Sequence, residues 1–273
     1  MFYLVATPIG HLGDITLRAI EILKSCDYIL CEDTRHSLSL LKHYDIHIPL
    51  KSYHKFNEAS RESLILADLK AGQTIALISD AGTPGISDPG ARIVQRCVEE
   101  AIAVVPIPGP CAAITALVAS GLSTDRFQFF GFLPRKPSEF RTAIQEILGY
   151  PGTTICYESP QRLKNALKVL AEEAPTRLVV VARELTKKFE EFVRGTPAEL
   201  LAHYEEHTLK GEIVLLISCA TKDENDSQWE QWTPAEHVAH LSETLGLAKG
   251  EAIKLAAQQR KVPKRVIYNS LLK

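Results

Sequence analysis

The sequence predicts an α/β protein of two domains with mostly parallel sheets, followed by a small helical module. Short apolar runs alternate with segments of helical periodicity, which is the pattern of βα units. Several of these runs are almost continuously apolar, as expected for strands buried on both faces of a sheet. The 273 residues are 45% hydrophobic and 23% charged, with a net charge of -2. This composition excludes a disordered chain, a collagen and a small disulfide-stapled protein.

Eight apolar segments are predicted as strands, at residues 2–7, 27–32, 74–79, 103–108, 127–133, 153–158, 178–183 and 211–218. Helical periodicity covers residues 16–25, 58–70 and 160–172, with the apolar side chains on one stripe. Asn57 and Ser159 precede two of these helices as N-caps, and Pro160 takes the first helical position, which proline favours.

The predicted domains are residues 1–121 and 122–221, followed by a polar linker at 222–232 and a tail at 233–273. In the tail the strands stop, and helices are expected from Thr233 to about residue 244, over 248–259 and from Pro263 onwards. Residues 249–273 carry seven lysines and arginines but one acid, Glu251. Three short helices with this charge resemble a helix-turn-helix module that contacts nucleic acid. A helical cap with a solvated basic face is the alternative.

Several classes of protein are not indicated. The sequence has neither a dinucleotide-binding fingerprint nor a P-loop, and it lacks the motifs of zincins and α/β-hydrolases. Its six cysteines are scattered and form no C-x-x-C pair, so we expect free thiols in a reducing cytoplasm and no metal site. No segment approaches the roughly 20 apolar residues of a membrane span, and the first residues do not form a signal peptide.

Three loops rich in glycine and proline follow predicted strands, at residues 7–14 (the first loop), 79–90 (the second loop) and 106–113 (the third loop). In open α/β sheets, ligands bind at the carboxyl ends of strands, where glycine lets backbone amides approach them. The loops are poor in lysine and arginine, which does not suit a triphosphate. A sulfonium nucleoside fits better, with its base in an apolar slot and its positive sulfur near Asp80. Tight turns without a ligand are the alternative.

Polar clusters lie at four further strand ends or helix starts, at residues 32–35, 54–58, 157–162 and 183–187. Paired acids and bases of this kind adjust the basicity of a proton acceptor in a pocket. Capping and surface salt bridges are the alternative explanation for each cluster taken singly.

The loops and clusters together resemble one family. The motifs that carry the resemblance are Ala6-Thr7-Pro8-Ile9-Gly10, Glu32-Asp33-Thr34-Arg35, Ser79-Asp80-Ala81-Gly82-Thr83-Pro84 with Ser87-Asp88-Pro89-Gly90, Pro108-Gly109-Pro110, Gly131-Phe132-Leu133-Pro134 and Arg183-Glu184-Leu185-Thr186-Lys187. In this order, over about residues 1–220, they are similar to the ribosomal RNA small subunit methyltransferase I family. That family belongs to the tetrapyrrole-methylase-like class of S-adenosylmethionine-dependent methyltransferases.

The resemblance implies a cytoplasmic homodimer of two α/β domains, with S-adenosylmethionine in the cleft between the domains. It implies 2′-O-methylation of a cytidine ribose in the decoding region of small-subunit ribosomal RNA, either free or in the assembled subunit. The residues that it assigns to the methyl donor are Pro8, Ser79, Asp80, Ala81, Ile86, Cys111, Ala112, Ala113, Tyr157, Gly211 and Glu212.

Methylation of a ribose hydroxyl needs a proton acceptor and groups that hold the flanking phosphates. The candidate acceptors are four acids: Glu32, Asp33, Glu158 and Glu184. Arg35, Arg183 and Lys187 are the candidates for phosphate contact. Recruitment of magnesium by the same acids is the less favoured alternative.

Three departures from the related patterns are visible. The first loop lacks the G-x-G-x-G-D run of tetrapyrrole methylases, and the second loop lacks their S-G-D-P run, which argues against a porphyrin substrate. The segment at residues 54–58 also differs slightly from the usual run of the RNA enzymes, in which a second histidine is common.

Two other functions remain open at this point: a methyltransferase that acts on a tetrapyrrole or another small molecule, and a non-enzymatic nucleic-acid-binding protein on a degenerate α/β scaffold. A calorimetric measurement of methyl-donor binding distinguishes these functions, because the enzymes bind the donor and the non-enzymatic nucleic-acid-binding protein does not.

Overall fold

The computed structural model describes residues 1–207, 209–220, 232–260 and 262–271. Its strands are β1 Phe2–Val5, β2 Tyr28–Cys31, β3 Leu50–Ser52, β4 Ile75–Leu77, β5 Val104–Ile107, β6 Phe127–Phe132, β7 Thr153–Glu158, β8 Val179–Arg183, β9 Glu191–Gly195 and β10 Ile213–Ile217. Its helices are α1 Leu17–Ser25, α2 Thr34–His43, α3 Glu58–Lys70, α4 Ala91–Glu99, α5 Ala112–Ser120, α6 Pro137–Gly149, α7 Pro160–Glu173, α8 Pro197–Glu206, α9 Pro234–Leu245, α10 Lys249–Gln259 and α11 Lys264–Ser270.

The first sheet is parallel throughout and has the strand order β3-β2-β4-β1-β5. Both of its faces are covered, because α1 and α2 pack on one side and α3 and α4 on the other. This explains why the central strands read as unbroken apolar runs. All five strands end at the same edge, and the three glycine-rich loops therefore emerge there together.

The second sheet has the order β6-β7-β10-β8-β9. Here the strand directions differ from the predicted mostly parallel arrangement, since β6–β7 is parallel and the other three pairs are antiparallel. The cause is local: β8 and β9 are joined by a short loop as a hairpin, and β10 enters between β7 and β8 against the direction of both. The α/β class with two sheets is confirmed.

The three predicted tail helices are present as α9 to α11, and they share a small apolar core that includes Leu241, Ile253 and Ile267. A capping box of Thr233 and Glu236 begins α9. A second cleft is lined by Tyr150, Pro151 and Cys219 together with His240 of α9. The tail therefore lies beside the ends of α6, α7 and β10. The predicted linker at 222–232 lies outside the described residues, apart from Trp232.

All six cysteines are free thiols, as predicted; Cys111 and Cys219 are half-buried and the others are buried. Among the described residues, no helix is both long enough and apolar enough to cross a membrane.

Candidate functional site

A cleft of about 220 Å³ lies between the two sheets. This volume is below the range of about 300–1,000 Å³ that is usual for sites of drug-sized molecules. The first half of the chain contributes Ile9, Ala81, Gly82, Thr83, Ile86, Ser87, Asp88, Cys111 and Ala112, and the second half contributes Phe132, Tyr157, Leu185, Glu212, Ile213 and Val214. Both halves are therefore needed to form the site.

The three glycine-rich loops are hydrogen-bonded to one another. Thr7 and Gly82 exchange two backbone hydrogen bonds of 2.9 and 3.1 Å, which join the first loop to the second. The Thr83 hydroxyl donates to the carbonyl of Pro110 at 3.0 Å, which joins the second loop to the third. Gly82 has φ +78, and a Cβ there would lie 3.2 Å from a methyl group of Ile9. This wall of the cleft is therefore held in shape by the protein itself.

The structure brings together part of the set predicted to bind the donor. Ala81, Ile86, Cys111, Ala112, Tyr157 and Glu212 line the cleft. Burial is the main reason that the pKa of Tyr157 rises to about 12, so its hydroxyl is neutral near pH 7. The phenol ring packs edge-on against Phe132, with ring centroids 5.8 Å apart. These two rings give the second half of the cleft an aromatic surface.

The other predicted donor residues lie outside the cleft lining. Pro8, Ser79 and Ala113 are buried behind the wall, and the Ser79 hydroxyl donates to the carbonyl of Gly82 at 3.1 Å. The carboxylate of Asp80 accepts a hydrogen bond from the backbone N–H of Asp33 at 3.2 Å. These residues shape the wall from behind it.

A partly exposed network of ion pairs supports the opposite wall. The Lys187 ammonium lies 3.1 Å from a carboxylate oxygen of Glu184 and 2.8 Å from one of Glu212. Glu184 also accepts a hydrogen bond from the backbone N–H of Glu212 at 3.0 Å. The hydrogen bond from the Glu212 amide, and to a smaller extent the Lys187 ammonium, lower the pKa of Glu184. Gly211 has φ +92, and a Cβ there would lie 2.4 Å from the Glu184 carboxyl group.

The two halves of the chain touch closely where this network meets the first loop. The backbone N–H of His11 donates to the Thr186 hydroxyl at 3.0 Å. A Cβ on Gly10 would lie 2.5 Å from Cγ of Lys187 and 2.7 Å from the Thr186 hydroxyl. Only glycine therefore fits at this junction without displacing a neighbour.

Glu158 faces away from the cleft, although it adjoins Tyr157. Successive residues of a strand point to opposite faces, so Tyr157 lines the cleft and Glu158 is buried on the other side. Burial raises the pKa of Glu158, and the charge is balanced by Arg162 at 3.0 Å. Arg162 also donates to the carbonyl of Leu133 and to that of Pro134 at 3.1 Å. The pair thus fastens the end of β6 to α7.

The remaining predicted catalytic side chains also lie outside the cleft lining. Asp33 caps α2 by accepting from the N–H of Arg35 at 2.8 Å, and its ion pair with the exposed Arg35 guanidinium lowers the pKa of Asp33. Arg183 pairs with Glu191 at 2.9 Å. Glu32 is half-buried close behind the second loop, where its charge acts on Asp88.

Asp88 is a site residue that the sequence motifs do not single out. Asp88 lines the cleft, and burial together with the charges of Glu32 and Asp80 raises its pKa to about 6, while Lys55 opposes the shift. The position of its loop is fixed, since the N–H of Gly90 donates to a carboxylate oxygen of Glu58 at 3.1 Å. In the sequence, Asp88 is one of two acids in the long second loop, the other being Asp80. The sequence does not indicate which of the two faces the ligand.

Comparison with known proteins reveals relatives over nearly the whole chain. A protein named ribosomal RNA small subunit methyltransferase I from Halalkalibacterium halodurans is 48% identical over 269 residues, covering 98% of this chain and 93% of the relative. Proteins of the same name from Bacillus subtilis and Escherichia coli O157:H7 are 45% and 46% identical, covering 99% of this chain and 93% and 94% of the relatives.

Solved structures show the same fold at low identity. Uroporphyrin-III-C-methyltransferase from Thermus thermophilus is 19% identical with a TM-score of 0.55, covering 80% of this chain and 93% of that one. A cobalt precorrin-4 methyltransferase is 17% identical with a TM-score of 0.59, covering 80% and 94%. The profile of the Tetrapyrrole (Corrin/Porphyrin) Methylases matches residues 1–201. The chain therefore belongs to this family of S-adenosylmethionine-dependent enzymes and, within it, to the ribosomal RNA small subunit methyltransferase I group, which confirms the predicted cofactor.

Proposed function

We propose that this protein methylates small-subunit ribosomal RNA, transferring a methyl group from S-adenosylmethionine to the 2′-hydroxyl of a cytidine ribose in the decoding region. The observation that carries the proposal is the 45–48% identity to relatives named for small-subunit RNA methylation, over almost their whole length. The choice of a cytidine 2′-hydroxyl rests on the family resemblance of the loop motifs.

The lining of the cleft fits the methyl donor. Ile9, Ile86 and Val214 offer an apolar slot for a nucleoside base. The carboxylate of Glu212 suits ribose hydroxyls or an amino group of the donor. When bound, the donor supplies a methyl carbon that a nucleophile can attack. Within the described part of the chain, the lining contains no lysine or arginine, which agrees with a ligand that carries no phosphate.

Asp88 is our candidate for the group that accepts the proton of the ribose hydroxyl. It reaches the cleft, unlike the four acids chosen from the sequence, and a pKa of about 6 makes it a stronger base than an ordinary carboxylate while leaving it mostly ionised at pH 7. Asp88 would accept the proton that the ribose 2′-hydroxyl loses as its oxygen takes up the methyl group supplied by the donor. Glu32 supports this role from behind by raising the pKa of Asp88.

The network of Glu184, Lys187 and Glu212 has a positioning role in this proposal. Its ion pairs hold the wall that carries Leu185 and Glu212, so loss of a member shifts that wall relative to the three loops. We expect Glu184→Gln to raise the Kd for S-adenosylmethionine by a larger factor than it lowers kcat.

The test is incubation of the protein with isotope-labelled S-adenosylmethionine and small ribosomal subunits that lack the modification. Mass analysis of the RNA nucleosides should show labelled 2′-O-methylcytidine at one position. Label on a base would contradict the proposal, and so would label on a tetrapyrrole, supplied in a separate reaction, with none on RNA. Parallel reactions with naked RNA show whether the substrate is the RNA alone or the assembled subunit.

A further inference from the structure

Exposed phenylalanines concentrate at the mouth of the cleft. Among the described residues, the exposed phenylalanines are Phe56, Phe127, Phe132 and Phe189. Phe132 lines the cleft itself, and Phe56 and Phe189 are 98% and 63% exposed on loops that border it. Only Phe127 lies elsewhere, at the opposite end of β6. Exposed aromatic rings collected around one opening indicate a binding surface.

The turn that carries Phe56 is rigid and is fixed next to Asp88. Within it, Asn57 accepts a hydrogen bond from the backbone N–H of His54 at 2.8 Å, and its own N–H donates to the carbonyl of His54 at 2.9 Å. The next residue, Glu58, bonds to Gly90, two residues from Asp88. The ring of Phe56 is therefore held in solvent by an ordered backbone, at the side of the cleft where the proposed proton acceptor lies.

The loop that carries Phe189 borders the cleft from the other sheet. Leu185 of this loop lines the cleft, and the loop is closed by a 2.6 Å hydrogen bond from the N–H of Thr186 to the Glu190 carboxylate. Thr186 also contacts the first loop through His11. Phe189 is thus exposed on a second ordered loop, which belongs to the other half of the chain from the turn that carries Phe56.

A lysine precedes each of these phenylalanines. Lys55 and Lys188 are exposed, and within the described ranges neither forms an ion pair. Lys55 acts electrostatically on Asp88, and the Lys188 ammonium lies 5.5 Å from the centre of the Phe189 ring. The lining of the cleft, in contrast, carries the acids Asp88 and Glu212. A phosphate-bearing ligand is therefore attracted more to the two exposed lysines than to the lining.

We propose that the pairs Lys55-Phe56 and Lys188-Phe189 form a two-sided clamp for single-stranded RNA, in which the rings stack on bases that flank the target nucleotide and the lysines contact the adjoining phosphates. Aromatic side chains beside cations are the usual means of holding unpaired bases. Neither pair was assigned a role by the sequence motifs. The inference rests on the proposed function, because it names how the same cleft holds its RNA.

The test measures stacking directly, without methyl transfer. Two short single-stranded RNAs of the target sequence are prepared, one with 2-aminopurine on the 5′ side of the target cytidine and one with it on the 3′ side, since the fluorescence of this base is quenched when it stacks on an aromatic ring. We expect wild type and Phe56→Trp to quench both. Phe56→Ala and Phe189→Ala should each weaken binding about 5- to 100-fold, and each should reduce the quenching of a different one of the two RNAs. Lys55→Ala and Lys188→Ala should each reduce the steepness of the plot of log K for RNA binding against log salt concentration by about 0.7.

Phe127→Ala is the matched control, because it removes an exposed ring of the same type at the far end of β6. It should bind and quench as wild type does, and calorimetry should give all variants the wild-type affinity for S-adenosylmethionine. Wild-type RNA binding by both Phe56→Ala and Phe189→Ala would overturn the clamp. If these variants bind RNA normally but show a raised KM only for assembled subunits, the rings contact ribosomal protein and the RNA proposal fails. Absence of methyl transfer by the wild type would refute the proposed function alone, since stacking is read separately.

Discussion

Carboxyl groups of one chemical type have different roles in this protein because their surroundings differ. Glu158 is buried beside Arg162 and fastens two elements, whereas Asp33 caps a helix in solvent. Asp88 faces the cleft and has a pKa of about 6 because it is partly buried near two other acids. This environment, rather than the residue type, makes Asp88 the best candidate for a proton acceptor.

Replacement of this carboxylate tests its chemical role. We expect Asp88→Asn to reduce kcat by about 100- to 10,000-fold, because general base catalysis contributes about that much, while the Kd for S-adenosylmethionine stays within about threefold. In the wild type, kcat should rise with pH up to about 6 and then level off. Asp125→Asn, at an exposed acid far from the cleft, is the control. An unchanged kcat in Asp88→Asn would exclude this acceptor.

The same residue should make the folded protein less stable as the pH rises. The pKa of its carboxyl group is about 6 in the folded state, against 3.8 for an ordinary aspartate. The folded state therefore loses stability as the pH rises from about 3.8 to about 6. Asp88→Asn should therefore raise the free energy of unfolding by about 1 kcal/mol at pH 7.5, after allowance for solvent screening. The gain should vanish at pH 4, as measured by urea denaturation at both values. A gain that is equal at both pH values would point to packing instead.

The sequence predicts the site better at the level of loops than at the level of side chains. Glycine and proline reveal the three loops, because only particular backbone geometries tolerate them. The direction of a side chain such as Asp80 or Asp88 depends on contacts with segments far away in the chain, which no local pattern contains. For the same reason the exposed position of Phe56 could not be predicted.

At the level of elements, all eight predicted strands are present, whereas β3 and β9 were not predicted. Both are edge strands, at the outer ends of the two sheets. Their side chains are mostly half-buried, so they lack the continuous apolar runs that identify the central strands. The helix at residues 58–70 has the predicted bounds, although Asn57 uses its side chain to close the preceding turn and not to cap the helix.

The contact between the first loop and the loop after β8 can be tested by adding one methyl group. Gly10→Ala places a Cβ within 3.0 Å of atoms in Leu185, Thr186 and Lys187. Thr186 has φ +62 and a short side chain, so it cannot easily move aside. We expect the two walls to separate and the Kd for S-adenosylmethionine to rise about tenfold, measured by calorimetry. Gly149→Ala, which meets nothing within 4 Å, should bind as wild type does; equal affinity in both variants would show that the contact is not needed.

At the level of the whole molecule, the basic tail and the cleft lie at opposite ends of the second sheet. The tail adjoins the start of β7 and the end of β10, while the cleft lies at the end of β7 and the start of β10. The predicted nucleic-acid contact of the tail remains a proposal. If it is correct, the tail binds RNA well away from the nucleotide that is methylated.

Charge reversal on the last helix tests this second contact. Lys264→Glu with Arg265→Glu should raise the KM for small subunits about 10-fold or more at low salt, because two phosphate contacts become repulsive, while donor binding and kcat stay unchanged. Lys164→Glu with Lys168→Glu, exposed on α7, alters the net charge equally and serves as the control. The tail proposal fails if both double variants have the same KM, measured by methyl transfer at several salt concentrations.

The cleft takes its lining from segments on both sides of the connection between α5 and β6. A chain severed in that connection would yield two pieces, each with one face of the pocket exposed to solvent and neither able to enclose a nucleoside. Mixing the pieces should restore ligand capture only when they reassemble, which makes capture a direct reporter of whether the two lobes have docked.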